Sequence, residues 1–163
     1  MTPEQLSKGI ITPVLLEMDM YSDPAHDLLF GTAMHESMGL RYIVQAGYDF
    51  DQPDLRLARG YYQMEPTTLW DLYDSYLYFN ASKRAVLNGF RSPVLSRADN
   101  LIMNPAYATA AARMQYYRFP DEIPDDMQGQ AEYWKKHWNT GLGKGGVDQY
   151  IENASKYKYL LRC

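Results

Sequence analysis

The stretch GTAMHESMGLRYIVQ, Gly31–Gln45, places a carboxylate at the end of an apolar run. Four apolar residues of this region fall on roughly one helical face: Leu28, Leu29, Ala33 and Met34. Their spacing predicts a core-facing helix over residues 24–38. Glu36 stands near its C-terminus, where the helix macrodipole is negative and disfavours another negative charge. Because apolar residues also flank it, the pattern predicts a raised pKa for Glu36.

Two interpretations of Glu36 follow from this stretch. A carboxyl group with a raised pKa in a semi-apolar cleft is suited to act as a general acid in glycoside cleavage. The other interpretation is an ordinary solvated glutamate at the end of a helix. The stretch alone does not decide between them, so the remaining sequence must supply the rest of a site.

Helix signals dominate the rest of the chain. Thr2-Pro3-Glu4-Gln5 has a capping residue, a proline at the first helical position and a glutamine that closes the capping box. Thr12-Pro13, Asp23-Pro24 and Asn104-Pro105 repeat the pattern of a cap followed by proline. Besides residues 24–38, helices are predicted near residues 3–10, 13–20, 66–80, 82–89, 105–118, 127–138 and 147–161.

Residues 40–64 break the helical pattern. The strings RYIVQ and RGYYQM are rich in β-forming residues and are separated by YDFDQPDLRLA, which carries turn residues. A small β-hairpin or extended loop is therefore predicted after the third helix. FRSPVLSRADN and FPDEIPDD are interpreted as further loops. With no repeat or linker in the sequence, we expect one mostly α domain over residues 1–163.

The composition limits the classes of function. Hydrophobic residues make up 46% of the 163 residues and charged residues 22%, which is typical of a globular chain. The net charge of −4 argues against nucleic-acid binding, which normally needs a basic surface. A single cysteine, the last residue, excludes a disulfide framework. The sequence also lacks a signal-peptide pattern and an apolar run long enough for membrane insertion.

Several other chemistries find little support in the sequence. The histidines do not occur in an HExxH or similar spacing, and no metal or cofactor is expected. Ser37 lacks the glycine-flanked turn of a nucleophilic serine. The glycines that follow Trp138-Asn139 do not match a phosphate-binding loop, because the spacing differs and no strand precedes them.

Four blocks occur in an informative order along the chain. They are Glu36-Ser37, the segment GYYQMEPTT at Gly60–Thr68, Asn104-Pro105 followed by AYATAAARMQYY, and WNTG at Trp138–Gly141. In this order they resemble the lytic transglycosylase and goose-type lysozyme branch of the lysozyme superfamily, and most of all the transglycosylase-like proteins of tailed bacteriophages. Trp138, Thr140 and Glu65 depart from the residues usual in that branch. The resemblance covers about residues 24–152.

The resemblance implies a lysozyme-like (α+β) domain with about eight helices, and it implies a mechanism. Glu36 would be the single catalytic acid and base, which cleaves the β-1,4 bond between N-acetylmuramic acid and N-acetylglucosamine and forms a 1,6-anhydromuramoyl end. No cofactor is implied. The implied substrate-binding residues are Ser37, Tyr62, Gln63, Met64, Trp138 and Asn139. The implied partners are peptidoglycan glycan strands and other phage virion proteins, with the enzyme packaged in the virion or made in the infected cell.

Three alternatives remain at this stage. A hydrolysing lysozyme would need a second carboxylate, for which Asp49, Asp51, Asp54 and Glu65 are candidates. A lysozyme-fold virion structural or adaptor protein would keep the fold without catalysis. A glycan-binding module would use the 15 tyrosines and 3 tryptophans for sugar contact.

Overall fold

The structure is a computed structural model that describes residues 1–49, 51, 54, 56–139 and 145–158. Most of these residues are helical, so the mostly α prediction is confirmed. The helices of the described residues are α1 (Pro3–Leu6), α2 (Thr12–Glu17), α3 (Asp23–Glu36), α4 (Pro66–Asp71), α5 (Ala81–Gly89), α6 (Arg97–Met103), α7 (Pro105–Tyr117), α8 (Met127–Trp134) and α9 (Val147–Lys158). Three π-helical segments continue α1, α4 and α8: Ser7–Ile11, Leu72–Leu77 and Lys135–Asn139.

The first two predicted helices form one continuous helical stretch. Thr2 caps it through the predicted capping box with Gln5. The prediction that Thr12 caps a new helix is wrong, because its backbone N–H bonds to the carbonyl of Ser7 in a π-helical turn. Proline lacks an N–H and its ring crowds the preceding turn, and this wider turn admits Pro13 without ending the helix.

Helix α3 is the central helix of the fold. Its cap is Ser22, whose side chain accepts a hydrogen bond from the N–H of Ala25, so the predicted cap at Asp23 is wrong by one residue. Every residue from 28 to 34 is buried, so α3 is covered on all sides rather than on one face. Helices α9, α7 and α8 pack around it. A helix that is surrounded in this way holds its last residue, Glu36, in a fixed position.

Helix α7 packs on α3 through small side chains. Asn104 caps it as predicted, because its side chain accepts from the N–H of Tyr107. The alanines of this helix are buried: Ala108, Ala110, Ala111 and Ala112. Small residues let two helices approach closely, and Thr32 and Tyr116 join them by a hydroxyl–hydroxyl hydrogen bond of 2.7 Å.

The insertion after α3 is an irregular loop held by isolated β-bridges. Val44 pairs with Arg59, and Arg59 pairs in turn with Met64. Arg59 and Met64 exchange two backbone hydrogen bonds of 3.0 Å. No strand longer than a bridge occurs in the parts of this loop that the structure describes. The prediction of an extended loop is therefore confirmed in this coarse form.

Helix α6 corrects the interpretation of FRSPVLSRADN as a loop. From Arg97 onward this string is helical, and the hydroxyl of Ser96 accepts a hydrogen bond from the N–H of Asp99. A serine followed three residues later by an acidic residue is a helix-start signal. The string FPDEIPDD remains outside helices, as predicted. The described part of the last helix ends at Lys158, and the predicted residues 159–161 lie outside the described residues.

Within the described residues, the helices are too short or too polar to cross a membrane.

Candidate active site

The chain leaves α3 through a tight left-handed turn immediately after Glu36. Met38 and Leu40 have positive φ angles of 52° and 68°, and Gly39 lies between them at 74°. The N–H of Gly39 donates to the carbonyl of Met34 at 2.8 Å, which closes the end of the helix. Left-handed backbone is costly for residues other than glycine, so the turn needs support from its neighbours.

Ser37 supplies that support. Its hydroxyl donates to the carbonyl of Ala33 at 2.6 Å and accepts from the N–H of Leu40 at 2.8 Å. The side chain is completely buried. The prediction of a direct sugar contact for Ser37 is therefore corrected, because both functions of its hydroxyl are used within the turn. Ser37 fixes the direction in which Glu36 leaves the helix.

Glu36 is partly buried and has one hydrogen-bond donor close by. Burial raises the pKa of its carboxyl group to about 7, in the direction that the sequence predicts. The indole N–H of Trp134 donates to its Oε1 at 2.9 Å, and this bond acts in the opposite direction because it favours the carboxylate. The carboxyl group can therefore exist in both protonation states near neutral pH.

His35 precedes Glu36 and contacts the same tryptophan, Trp134. Its ring lies edge-on to Trp134, with centroids 4.5 Å apart, and its Nδ1 is 3.1 Å from the amide nitrogen of Asn153. Burial lowers the pKa of His35, which favours the neutral imidazole. In the described residues, no group of three or more His, Cys, Asp or Glu side chains is placed to hold a metal ion.

A cleft of about 650 Å³ opens beside Glu36. Four of the predicted substrate-binding residues line it: Gln63, Met64, Trp138 and Asn139. The cleft thus brings together side chains from the end of α3, the bridged loop and the π-helical segment after α8. Its volume lies within the range typical of small-ligand sites.

The loop wall of the cleft depends on Gly60. Its φ angle is 73°, and a Cβ atom at this position would lie 2.1 Å from the carbonyl oxygen of Leu101. Both predicted reasons for a glycine, positive φ and close backbone approach, are therefore confirmed. The side-chain amide of Gln63 donates to the carbonyl of Gly60 at 2.8 Å, and Gln63 itself has a positive φ of 46°. This contact holds the Gln63 amide at the edge of the cleft.

Another part of the cleft lining is aromatic. The ring of Trp138 packs against Tyr116 at a centroid distance of 5.1 Å and lies 6.4 Å from Tyr62. The carbonyl of the Asn139 side chain accepts from Lys135 Nζ at 2.6 Å. Trp138 and Asn139 remain partly exposed in the cleft. Thr140 and Gly141, which complete the WNTG block, lie outside the described residues.

Tyr62 requires a second correction. Its side chain is 1% exposed and is absent from the cleft wall, and its hydroxyl lies 3.1 Å from Thr109 Oγ1. Burial raises the pKa of the Tyr62 hydroxyl well above its ordinary value. Tyr62 is therefore a core residue that supports Trp138 from behind and does not contact a ligand in the cleft.

Several cleft residues were not identified from the sequence. They are Gln45, Ala58, Thr68 and Gln115 as lining residues, together with Trp134, which bonds to Glu36. Gln115 lies in the buried face of α7 and is 8% exposed. A glutamine inside the apolar string AAARMQYY was the available signal for it. Trp134 precedes Trp138 by four residues in the string YWKKHWNT, so this string was the available signal for both tryptophans.

Of the four candidates for a second carboxylate, one lies in the cleft. Glu65 is exposed and lines the same space as Glu36, and its Oε2 accepts a hydrogen bond from Thr67 at 3.2 Å. Asp54 is paired with Arg56 on the surface. Neither Asp49 nor Asp51 is among the described cleft residues.

No protein-family model matches the chain, and no curated protein or solved structure shows significant similarity to it.

Proposed function

We propose that the chain is a peptidoglycan lytic transglycosylase with a lysozyme-like fold. The observation that carries the proposal is Glu36, whose pKa burial raises to about 7, in a cleft that also holds Gln63, Asn139 and Trp138. Polysaccharide sites commonly combine amides, which bind sugar hydroxyl and acetamido groups, with an aromatic ring that stacks on a sugar face. The acid and its binding surface are thus in one place.

Glu36 acts first as the acid. In its protonated form it donates its proton to the glycosidic oxygen between N-acetylmuramic acid and N-acetylglucosamine, and the bond from that oxygen to C1 breaks. N-acetylglucosamine leaves with a new 4-hydroxyl group. The acetamido group of the muramoyl residue stabilises the positive charge that develops at C1, so a second protein carboxylate is not required.

Glu36 then acts as the base. The 6-hydroxyl oxygen of the muramoyl residue attacks C1, and the hydroxyl proton passes to the Glu36 carboxylate. A 1,6-anhydro ring forms, no water is consumed, and the acid is regenerated. The indole of Trp134 stabilises the carboxylate between the two steps, because its N–H already points at Oε1. A pKa near 7 suits a group that must give and take a proton in turn.

A hydrolysing lysozyme is the second candidate, and the position of Glu65 favours it. Glu65 shares the cleft with Glu36, so it could orient a water molecule toward C1. The product would then be a reducing end rather than an anhydro ring. We rank this candidate second because Glu65 is exposed and nothing in the described residues holds it toward Glu36.

Mass analysis of digested peptidoglycan tests both candidates. We expect wild-type protein to release anhydromuramoyl products and Glu36→Gln to lower the rate by about 100- to 10,000-fold, because the variant keeps the shape but has no transferable proton. Glu17→Gln, an exposed glutamate on α2, is the matched control. Unchanged release of muropeptides by Glu36→Gln would overturn the proposal.

Two further outcomes separate the alternatives. Reducing-end products together with a comparable loss in Glu65→Gln would assign a hydrolase. Binding to peptidoglycan with no release of fragments by wild-type protein would assign a lysozyme-fold structural protein or a binding module.

The biological setting that we propose is a tailed bacteriophage, with the enzyme carried in the virion or made in the infected cell and acting on the bacterial cell wall. The similarity of the motif strings to phage transglycosylase-like proteins supports this setting. Mass spectrometry of purified virions would test whether the protein is packaged, and its absence from particles would favour a role late in infection.

A further inference from the structure

A second pocket of about 460 Å³ is lined by residues of α7 other than the cleft residue Gln115. Arg113, Tyr116 and Tyr117 of α7 line it, together with the loop that follows this helix and Tyr133 of α8. Tyr116 connects the pocket to the cleft, because it lines the pocket and its ring packs on Trp138 of the cleft. The proposed catalytic cycle uses no residue of the pocket apart from this packing.

Arg113 is the unusual residue of the pocket. It is 8% exposed, and its Nε is sealed from solvent without a hydrogen-bond acceptor among the described residues. Within those residues its guanidinium also has no carboxylate partner, although its Cζ lies 5.0 Å from the centre of the Tyr117 ring. An arginine keeps its charge in proteins, and a buried charge without a counter-charge is costly. Burial also lowers the pKa of Arg113.

The acidic residues of the rim do not neutralise Arg113. Asp121 is engaged elsewhere, because its Oδ2 accepts from Lys136 Nζ at 2.5 Å and is 2.8 Å from His137 Nε2. Glu122 lines the pocket with an exposed side chain, and no ion pair joins it to Arg113 among the described residues. The cation therefore faces a space that the protein's own carboxylates leave open.

We propose that this pocket binds a small ligand through a carboxylate group that pairs with Arg113. Arginine presents parallel N–H groups that match the two oxygens of a carboxylate. The two rim acids disfavour a doubly charged phosphate, and no lysine is among the lining residues. Phe119 and Ile123 offer an apolar surface for the rest of the ligand. The C-terminal end of a short peptide has both features, because it carries one carboxylate and apolar side chains beside it.

Calorimetric titration of the wild-type protein tests the charge requirement without any substitution. The probes are N-acetyl-alanyl-alanine with a free carboxylate, the same dipeptide as its C-terminal amide, and inorganic phosphate. We expect the carboxylate form to bind with a dissociation constant on the order of 1 mM, and the amide at least about tenfold more weakly. Equal binding of acid and amide, no binding of the acid, or tighter binding of phosphate would overturn the proposal.

Two variants locate the binding in this pocket. Arg113→Met keeps the apolar stem of the side chain but removes the guanidinium group, and we expect it to weaken carboxylate binding at least about tenfold. Arg113→Lys keeps the charge without the fork and should lie between Arg113→Met and wild type. Circular dichroism confirms that each variant is folded before it is titrated. Wild-type affinity in folded Arg113→Met would place the binding elsewhere and reject the site.

Glu122→Gln provides an independent test on the rim. Removing this charge lowers repulsion toward the ligand, so binding of the acid should tighten about two- to fivefold at low salt. Weaker binding in this variant would contradict the proposed charge arrangement. The test does not involve Glu36, so its outcome is distinct from that of the transglycosylase assay.

Discussion

The two pockets beside α7 each contain a buried ionisable group, and the groups differ in how they can respond to burial. Glu36 can become neutral, and burial raises its pKa to about 7. Arg113 cannot lose its proton near neutral pH, so it keeps an uncompensated charge. The same physical cost therefore suits Glu36 to the proton transfer that we propose for it and Arg113 to the anion binding that we propose for it.

The neighbours of the two groups sharpen this difference. Glu36 has the indole N–H of Trp134 at 2.9 Å, a donor that stabilises the charged form only in part. Arg113 has an aromatic face at 5.0 Å and no formal counter-charge among the described residues. A side chain that is partly stabilised in both protonation states can give and take a proton in turn. A side chain that keeps one charge can bind an ion of the opposite charge but cannot transfer a proton.

The largest expected effect is on the pH dependence of stability. Because the folded protein raises the pKa of Glu36 from 4.5 to about 7, it binds a proton there that the unfolded chain has already released. Glu36 therefore stabilises the fold below about pH 4.5, and this contribution is lost as the pH rises to about 7. The loss should be on the order of 3 kcal/mol.

Urea unfolding of wild type and Glu36→Gln at several pH values isolates this contribution, since all other groups titrate in both proteins. The difference in unfolding free energy should change between about pH 4.5 and pH 7 and should be constant above that range. A difference that is flat throughout would show that Glu36 has an ordinary pKa. Arg113→Met should give no such pH-dependent difference over this range.

The next effect concerns Trp134→Phe. The substitution removes the only N–H of the indole and leaves a smaller ring in the core, which should cost about 1–3 kcal/mol of stability. Because the bond to Trp134 favours the carboxylate, its loss should move the pKa of Glu36 upward. The pH at which cleavage activity declines should rise accordingly, as measured by the pH profile of kcat/KM.

Trp138→Phe is the matched control for this experiment. It removes an indole from the cleft wall but leaves the Trp134–Glu36 bond intact. It should raise KM and leave the pH profile in place. A shift of the profile in Trp138→Phe and none in Trp134→Phe would contradict the role given to Trp134.

The smallest effect is the stability of Arg113→Met. Replacing an unpaired buried charge with a shorter apolar side chain removes a desolvation cost as well as packing, and because these two effects oppose each other the change should be within about 1 kcal/mol of zero. Thermal unfolding in the absence of added carboxylates measures it. A loss of several kcal/mol in unfolding free energy would show that Arg113 has a stabilising partner in the fold, and its charge would then not be uncompensated.

The sequence predicted the helical framework well because its signals are local. The caps at Thr2 and Asn104 depend on contacts within a few residues, and the structure confirms both. Helix α6 was missed, because it is short and follows a proline-containing loop, although Ser96 and Asp99 mark its beginning. The buried surroundings of α3 were also underestimated, since periodicity identifies one apolar face but not how many helices cover the others.

The sequence predicted which motifs contribute to the cleft. It predicted less well which side chains of those motifs point into the cleft and which point into the protein interior. Gln63, Trp138 and Asn139 line the cleft as expected. Ser37 and Tyr62 do not, because each hydroxyl bonds to the protein interior. Such directions depend on contacts between distant parts of the chain. The same holds for Gln115 and Trp134, which tertiary packing alone brings to Glu36.

The π-helical segment Lys135–Asn139 has a consequence for how the cleft wall is encoded. A π-helical turn contains about one residue more than an α-helical turn, so side chains within the segment point in directions that differ from those of a continued α-helix. Trp138 and Asn139 lie inside this segment, whereas Trp134 precedes it. The number of residues in the π-helical segment therefore sets the direction of Trp138 relative to Glu36. Deleting one residue from Lys135–Asn139 would point Trp138 away from Glu36, whereas a substitution that keeps the number of residues would not.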